Sequence, residues 1–375
     1  MTVNRSARLV FYISGHGFGH ATREIEVINQ ILRERPDMPI VVRSTVPRWF
    51  LEQSIRGAFE VQWCEPDTGM VQIDGLSHDL PSTLERARAF YTTFDARVEE
   101  DARVLVELES AAVVGDIPPL AFAAAARAGV PGIALANFTW DWIYEDYDEF
   151  SAEGAGPLAT IREAYACATL ALRLPFAGGF APMARVTRDI PLIGRRSPLG
   201  RDRARGRLGL TGDRPIVLAS FGGHGTVLPF EQIAVDNDVT LLMTSHEVGS
   251  IPPDADARLR WFRLGDLARD GVRYEDLVAA ADVVVTKPGY GIVSECITNE
   301  TALLYTSRGH FIEHDVFVAD MPRVLRCRFI PQEDLRGGRW RASVDALLTQ
   351  PGPPERMDTN GAAVAARVIL ETAAA

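Results

Sequence analysis

The stretch "RLVFYISGHGFGHATREIEVINQILRER" (residues 8–35) joins an apolar run to a helical pattern through a turn rich in glycine and histidine. Residues 9–13 are apolar without alternation, which is typical of a strand covered on both faces of a parallel sheet. The helical segment 21–35 carries one apolar stripe, formed by Ile25, Ile28, Ile31 and Leu32. The stretch therefore predicts the first strand–turn–helix unit of a doubly wound α/β fold.

Predicted strands and helices continue to alternate along the first half of the chain, and the same alternation restarts in the second half. Further strands are predicted in the first half at 38–44, 111–116 and 131–137. After the Arg-, Gly- and Pro-rich segment 191–215, strands are predicted at 216–223, 238–245, 258–264, 281–289 and 301–307. We therefore predict two Rossmann-like domains in tandem, 1–195 and 196–357, with a terminal helix at 358–375 that packs back on the first domain.

Composition excludes several classes of partner and site. The formal net charge of -11 and the lack of basic blocks argue against nucleic-acid or anionic-membrane surfaces. The four cysteines, Cys64, Cys167, Cys296 and Cys327, are far apart, so neither zinc site nor disulfide framework is indicated. Neither a signal peptide nor an apolar stretch of about 20 residues is apparent, which predicts a cytoplasmic protein without a transmembrane segment.

The turn at 15–20 follows the first predicted strand, where doubly wound sheets bind ligands. Gly15, Gly17 and Gly19 permit positive φ and close ligand approach. Because a helix N-terminus favours the neutral imidazole, His20 is a candidate base for a hydroxyl proton. We expect the turn to bind an acceptor through His16, Gly17, Phe18 and Gly19. The alternative is that both histidines only cap or pack against the turn.

Two Gly-rich segments follow strands of the second half. In "SFGGHGT" (220–226), backbone N–H groups can meet a phosphate, although an empty tight turn is the alternative. In "TKPGYGIVSE" (286–295), Lys287 supplies a point charge, and the carboxylate of Glu295 can accept bonds from a ribose diol. A solvated helical glutamate is the alternative for Glu295. The predicted donor-binding residues here are Gly222, Gly223, His224, Gly225, Thr226, Lys287, Gly289, Tyr290, Gly291, Ser294 and Glu295.

The remaining loops of the first half add polar and aromatic groups. Asp116 ends a predicted strand and could orient His20 or bind an acceptor hydroxyl. Asn137, Trp140 and Asp141 follow the next strand, and aromatic faces beside carboxylates suit a sugar. The alternative is a packed tryptophan core with Asp141 as a helix cap. In residues 75–91 we favour a helix entry capped by Ser82 or Thr83, with Glu85 in the first turn. The alternative places His78 and Asp79 at the edge of the cleft.

Three of these segments together resemble a known group of proteins. "GHGFGHATR", "KPGYGIVSE" and the intervening "DIPPLAFAAAARAGVPGIALANFTWDWIY", with "LRLPF" at 172–176, resemble the glycosyltransferase-like N-terminal region of plant L-arabinokinase and its stand-alone bacterial relatives. The likeness runs from about residue 8 to about residue 345. More distantly, the layout is similar to GT-B glycosyltransferases, including the peptidoglycan N-acetylglucosaminyltransferase.

The resemblance implies a GT-B fold, in which two Rossmann-like domains face each other across a cleft. It implies acceptor binding by the first domain and nucleotide-sugar binding by the second, without metal or other cofactor. Within that group His20 corresponds to a base, Glu295 to a ribose ligand and the glycines of 222–225 to the diphosphate turn. Glu313 and His314, with Asp315, fall near the donor sugar, although the usual Asp-Gln or His-x-x-x-Gln pattern is absent.

The sequence thus predicts a metal-independent glycosyltransferase, with a UDP-sugar as the expected donor and a small molecule or glycan as acceptor. Sugar kinase activity is not implied, because no Gly-Ser-rich phosphate loop of the arabinokinase kinase half is present. A nucleotide-sugar epimerase or hydrolase is an alternative, and it would require Asp116, Asp141 and Glu313 to converge. A sugar or nucleotide-sugar binding protein without turnover is another. The sequence leaves the acceptor, the sugar and the oligomeric state open.

Overall fold

A computed structural model describes residues 7–74, 76–151, 156–221, 228–244 and 258–375. Its strands are β1 (Arg8–Ile13), β2 (Ile40–Ser44), β3 (Glu60–Trp63), β4 (Gln72–Asp74), β5 (Ser77–His78), β6 (Ser110–Asp116), β7 (Gly132–Phe138), β8 (Leu170–Gly178), β9 (Thr187–Asp189), β10 (Ile216–Ser220), β11 (Thr240–Thr244), β12 (Leu259–Phe262), β13 (Val283–Thr286), β14 (Ala302–Tyr305) and β15 (Cys327–Phe329).

Helices connect these strands throughout the described chain. They are α1 (Phe18–Glu34), α2 (Arg48–Ser54), α3 (Leu80–Thr92), α4 (Phe94–Glu107), α5 (Pro119–Ala128), α6 (Trp140–Glu145), α7 (Asp148–Ser151), α8 (Pro157–Ala166), α9 (Gly200–Arg207), α10 (Phe230–Asp236), α11 (Leu264–Arg269), α12 (Tyr274–Ala280), α13 (Tyr290–Asn299), α14 (Ile312–Val324), α15 (Gln332–Arg336), α16 (Arg341–Thr349) and α17 (Gly361–Ala373). A short 3₁₀ turn spans Ala181–Met183. No described helix is both long and apolar enough to cross a bilayer.

The first sheet is parallel, with the spatial order β3-β2-β1-β6-β7-β8-β9 among the described strands. The order reverses between β1 and β6, and ligands of doubly wound sheets bind at such a reversal, beyond the carboxyl ends of the strands. Ile13 at the end of β1 lies opposite Asp116 at the end of β6. The glycine–histidine turn and Asp116 therefore meet at the topological switch point.

The second sheet repeats this plan with the order β12-β11-β10-β13-β14-β15, again with parallel pairing throughout the described strands. Its order reverses between β10 and β13, so the segment that follows β13, starting at Lys287, lies at the second switch point. The two parallel sheets confirm the predicted doubly wound fold.

Both sheets are buried on their two faces, as the uninterrupted apolar strands predicted. Five of the six residues of β1 are buried, and all residues of β10, β13 and β14 are buried. The helices around the sheets form apolar clusters with the strands, and the largest of these clusters contains residues of both sheets. The core is therefore continuous across the junction of the two halves.

The connecting segment is held by polar contacts to the second half. The Asn299 amide donates to the Arg195 carbonyl over 2.9 Å, and the Ile193 N–H donates to the Tyr290 hydroxyl over 3.1 Å.

At the end of the chain, α17 packs against α1 and β6. Its Gly361 N–H donates to the Leu192 carbonyl over 3.1 Å. The described chain thus ends on the first sheet's side of the molecule.

Several elements differ from the sequence-based expectation. The predicted cap of α3 was wrong: Asp79 caps this helix, because its Oδ1 accepts from the Ser82 N–H over 2.9 Å. The pattern also missed β3, β8, β9 and β15 and the hairpin β4–β5. Three of these, β3, β9 and β15, lie at sheet edges, where exposed residues interrupt the apolar pattern.

Candidate active site

A cavity of about 210 Å³ lies between the two sheets at their switch points. The first half lines it with the glycine–histidine turn and the first turns of α1: His16, Gly17, Phe18, Gly19, His20, Thr22 and Arg23. The second half lines it with Lys287, Gly289, Tyr290, Gly291, Glu295, Arg308 and Glu313. Both predicted halves of the site therefore contribute to one cavity.

The three glycines of the turn have different physical roles. Gly17 is the N-cap of α1 and has φ 82°, which favours glycine. A Cβ on Gly15 would lie 1.9 Å from Thr45 Oγ1, and a Cβ on Gly291 would lie 3.1 Å from Gly19 Cα. The expectation of positive φ thus holds for Gly17 alone. Gly15 allows close packing against Thr45, whereas a Cβ on Gly19 would lie 3.7 Å from the Gly291 nitrogen, an ordinary contact. Gly291 is the glycine that lets the N-termini of α1 and α13 approach each other.

His20 contacts a buried ion pair. Its Nδ1 lies 2.8 Å from Asp116 Oδ1, and the Arg23 guanidinium donates to both carboxylate oxygens of Asp116 through Nε and Nη2. Burial raises the pKa of Asp116, but the charge and hydrogen bonds of Arg23, with those of His20, outweigh burial and hold that pKa below its usual range. Asp116 therefore remains a carboxylate beside His20.

The partners around His20 determine which ring nitrogen carries its proton. Arg23 Nη2 also lies 3.0 Å from Nδ1, and its second proton could reach a lone pair there. The Asp116 oxygen is closer, at 2.8 Å, and two lone pairs that face each other at this distance would repel. Asp116 can only accept, so it fixes a proton on Nδ1. The lone pair of the neutral ring is then on Nε2, as a general base requires.

His16 has the opposite arrangement. Its Nδ1 accepts from the Met70 N–H over 3.2 Å, which leaves the ring proton on Nε2. Burial, and after it the neighbouring His20, lower the pKa of His16 well below its usual range. A Cβ on Gly69 would lie 2.8 Å from the His16 ring, so this glycine leaves room for the imidazole. His16 is thus a neutral hydrogen-bond donor, while His20 carries the available lone pair.

A chain of polar contacts crosses from the first half to the second. Arg23 Nη1 donates to the Asn137 Oδ1 atom, and Asn137 Nδ2 donates to Glu313 Oε1 over 2.8 Å. Arg308 Nη2 then donates to Glu313 Oε2 over 3.2 Å. Asn137 was predicted to bind the acceptor and Glu313 the donor sugar, but here they bind each other. This chain connects the ion pair beside His20 to the second half.

Glu295 forms an ion pair with Arg195. Arg195 Nε donates to its Oε1 over 2.6 Å, and Arg195 Nη2 contacts the same oxygen. Glu295 is buried within α13 rather than solvated, so the alternative of an exposed helical glutamate was wrong. Nearby, Lys287 Nζ donates to Gln72 Oε1 of the first half over 3.4 Å. The cavity thus contains Arg195, Lys287 and Arg308 as cations.

Some predicted residues do not line the cavity. Asp116 and Asn137 are fully buried, and they contact the lining residues His20, Arg23 and Glu313. Trp140 is fully buried in an aromatic cluster, so no face of its ring is open to a sugar. Asp141 faces away and contacts Arg162 at 3.4 Å. His314 is buried within α14, and Ser294 Oγ donates to the Gly291 carbonyl inside α13. The predicted phosphate residues Gly222, Gly223, His224, Gly225 and Thr226 lie outside the described residues.

Sequence reasoning missed four charged residues of the site. Arg23 lies three residues after His20 in α1, so helical spacing could have placed both on one face. Arg195 and Arg308 lie in segments without a periodic pattern, and only the fold brings them to the cavity. Asp67 lies in a loop and accepts from Ser14 Oγ over 3.0 Å and from Trp140 Nε1 over 2.8 Å. No motif or periodic pattern around Asp67 indicates that its side chain is buried.

Comparison with known proteins supports the resemblance. No protein-family model matches the chain. Over 377 aligned residues it is 29% identical to L-arabinokinase of Arabidopsis thaliana, across 98% of this chain and 35% of that protein. The chain therefore spans about a third of the length of this relative. The match confirms the likeness that the glycine-rich turns indicated.

Solved structures confirm the fold. The glycosyltransferase of kitacinnamycin has a TM-score of 0.62 and 16% identity, covering 98% of this chain and 99% of that chain. Phytolacca americana UGT2, solved with UDP-2-fluoro-glucose and pterostilbene, has a TM-score of 0.58 and 13% identity, covering 98% and 94%. The chain has the GT-B fold of glycosyltransferases.

The buried carboxyl of Asp67 predicts a pH dependence of stability. Burial raises the pKa of Asp67 to about 6, above the ~3.9 of an unfolded chain. Between these values the folded protein binds more protons, so its free energy of unfolding falls as pH rises, by up to about 3 kcal/mol. In Asp67→Asn the part of this decrease that is due to Asp67 should be lost, while Glu295, whose pKa burial raises to about 7, keeps its own part. Urea unfolding at a series of pH values measures the difference. The exposed control Asp213→Asn should retain the whole decrease, and an unchanged decrease in Asp67→Asn would contradict the assignment.

Proposed function

We propose that this protein is a glycosyltransferase that moves a sugar from a nucleotide-sugar donor to an acceptor hydroxyl, with His20 as the base. One observation carries the proposal: His20, held by Asp116, lines the same cavity as the N-terminus of α13. A proton acceptor from the first half and an anion-attracting helix end from the second half thus line one cavity. A base and an anion site together can promote transfer of a sugar from a diphosphate to a hydroxyl.

The second half provides the features that a diphosphate requires. Helix α13 starts at Gly289 with no side-chain cap, so its first N–H groups are available to an anion. Lys287, Arg195 and Arg308 line the same cavity, although the whole chain has a net charge of -11. Such fixed local donors can stabilise a leaving diphosphate without a metal ion. UGT2 was solved with UDP-2-fluoro-glucose and the similarly folded VinC with dTDP, so a nucleoside diphosphate sugar is the proposed donor class, with UDP as the expected nucleotide.

The donor ribose would meet Glu295. Both contacts from Arg195 reach Oε1 of this side chain, which leaves Oε2 for a ribose hydroxyl. The arginine orients the carboxylate by fixing one of its oxygens. This arrangement extends the ribose-binding role that the resemblance implies.

The reaction follows from the tautomer of His20. Nε2 takes the proton of the acceptor hydroxyl while that oxygen forms a bond to the anomeric carbon of the donor sugar. The bond from this carbon to the diphosphate oxygen breaks, and its electron pair leaves with the diphosphate. Asp116 stabilises the imidazolium that forms, and the helix end with Lys287 stabilises the leaving group. The base and the leaving-group site thus come from different halves of the chain.

A nucleotide panel tests the donor site first. UDP, GDP, dTDP, ADP and their common sugar conjugates are added separately to the metal-free protein, and the melting temperature is measured. One nucleotide should raise it, because a ligand at 100 times its Kd stabilises the folded state by about 2.7 kcal/mol. The rise should vanish in Glu295→Ala and persist in Glu333→Ala, whose side chain is 90% exposed. No rise with any nucleotide would contradict the transferase proposal.

Substitution of the base tests the chemical step. His20→Ala should lower kcat by about 10²- to 10⁴-fold, the usual contribution of a general base, while donor affinity changes little. Release of nucleoside diphosphate measures turnover, and calorimetry measures donor affinity. The matched control is His310→Ala, since this histidine is 66% exposed. Equal losses of turnover and donor affinity would contradict the assignment of His20 as base.

The alternatives are less well supported. An epimerase or hydrolase would require Asp116, Asp141 and Glu313 to converge, but Asp141 does not line the cavity and Glu313 is bonded to Asn137 and Arg308. Incorporation of solvent deuterium at C2 of the sugar would restore that alternative. Nucleotide binding without any product would favour a binding protein.

A further inference from the structure

A second cavity, of about 230 Å³, lies in the first half on the other side of the glycine–histidine turn. Its polar lining includes Thr45, Glu65, Asp67, Thr68 and Arg86, and we refer to it as the polar cavity. Three further residues, His16, Gly17 and Gln72, line both this cavity and the cleft cavity. The two spaces therefore share a wall beside the proposed base.

The carboxylates of the polar cavity retain capacity to accept hydrogen bonds. Asp67 is buried, and each of its oxygens accepts one bond, from Ser14 and from Trp140. A carboxylate has about four lone-pair sites, so acceptor capacity remains. At the more exposed end of the cavity, Arg86 Nη2 donates to Glu65 Oε1 over 2.9 Å. The carboxylates can accept hydrogen bonds from the hydroxyls of a ligand, and the Arg86 guanidinium can donate to them.

Thr68 adds another acceptor. The Tyr144 hydroxyl donates its only proton to the Gly69 carbonyl over 2.8 Å. In the 3.1 Å contact between Thr68 Oγ1 and Tyr144, Thr68 must therefore be the donor. Its own lone pairs then remain available to the polar cavity. Acceptor groups thus come from both an ionised and a neutral side chain.

The charge and shape of the polar cavity favour one class of ligand. Two carboxylates against one guanidinium disfavour an anionic ligand. Apart from the His16 imidazole, no aromatic ring lines it among the described residues, so a flat aromatic ligand would find little to stack on. Convergent hydroxyl, carboxylate and guanidinium groups suit a neutral polyol, and the volume accommodates a single sugar ring.

We propose that the polar cavity binds a neutral monosaccharide and serves as the acceptor subsite. The placement as an acceptor subsite rests on the proposed function. The ring centroids of His16 and His20 are 6.5 Å apart, so a hydroxyl that extends past His16 would reach the cleft beside His20. His16 carries its proton on Nε2, which lies 3.4 Å from the Gln72 amide nitrogen, so a sugar hydroxyl that takes the place of this amide would accept from His16.

Calorimetry without nucleotide tests binding at the polar cavity. Neutral pyranoses and the corresponding uronic acids are titrated into wild type, Glu65→Gln, Thr68→Val and the control Glu99→Gln. Glu99 also pairs with an exposed arginine, at 2.7 Å from Arg127, but it lies outside the cavity. We expect a neutral sugar to bind, and loss of the Glu65 charge to weaken it by about tenfold, as for a hydrogen bond to a charged group. Thr68→Val should weaken it by a smaller factor, and Glu99→Gln should leave it unchanged.

The outcomes separate this proposal from the proposed function. Failure of every neutral sugar to bind at millimolar concentration, or binding that Glu65→Gln and Thr68→Val leave unchanged, would overturn the assignment of the polar cavity. Tighter binding of uronic acids would overturn the ligand class. Because no nucleotide is present, sugar binding that depends on Glu65 would support the site even if the nucleotide panel contradicted a transferase.

Discussion

The buried ion pair between Arg23 and Asp116 is the interaction on which the rest of the site depends. Both side chains are almost fully buried, and burial of two charges is unfavourable unless good geometry and further hydrogen bonds compensate. Here Arg23 donates to both oxygens of Asp116 and to Asn137, and His20 Nδ1 lies 2.8 Å from Asp116 Oδ1. Loss of one partner would leave a charge uncompensated, at a cost of about 3–5 kcal/mol. The pair therefore fixes the imidazole of His20 in orientation and tautomer.

The same pair links catalysis to the arrangement of the two halves. Through Asn137 it reaches Glu313, which the buried Arg308 holds from the second half. The contact between Gly19 and Gly291 brings the two helix N-termini together near this chain. Because the proposed base comes from one half and the proposed leaving-group donors from the other, these contacts hold both in one cavity. The GT-B fold provides the two switch points, and the polar chain aligns them.

The sequence predicted the fold through features that are local. Apolar runs such as residues 9–13 are determined by burial on both sheet faces, and glycine-rich turns mark the strand ends. Contacts between distant residues were not predictable in this way: Asn137 and Glu313, given separate ligands from the sequence, bind each other. Trp140 was expected to contact a sugar, but a tryptophan in sequence is equally compatible with a sugar-binding site and with a buried core. Only the packing of the folded chain distinguishes these two positions.

In the proposed site, Asp116 holds the proton of His20 on Nδ1 and leaves the Nε2 lone pair for an acceptor hydroxyl. Nitrogen-15 NMR of the histidine side chains at a pH where the imidazoles are neutral measures this directly, without substrate. We predict a protonated Nδ1 and an unprotonated Nε2 for His20, with the reverse for His16, whose Nδ1 accepts from Met70. A His20 ring protonated on Nε2, with its lone pair toward Arg23, would contradict the account.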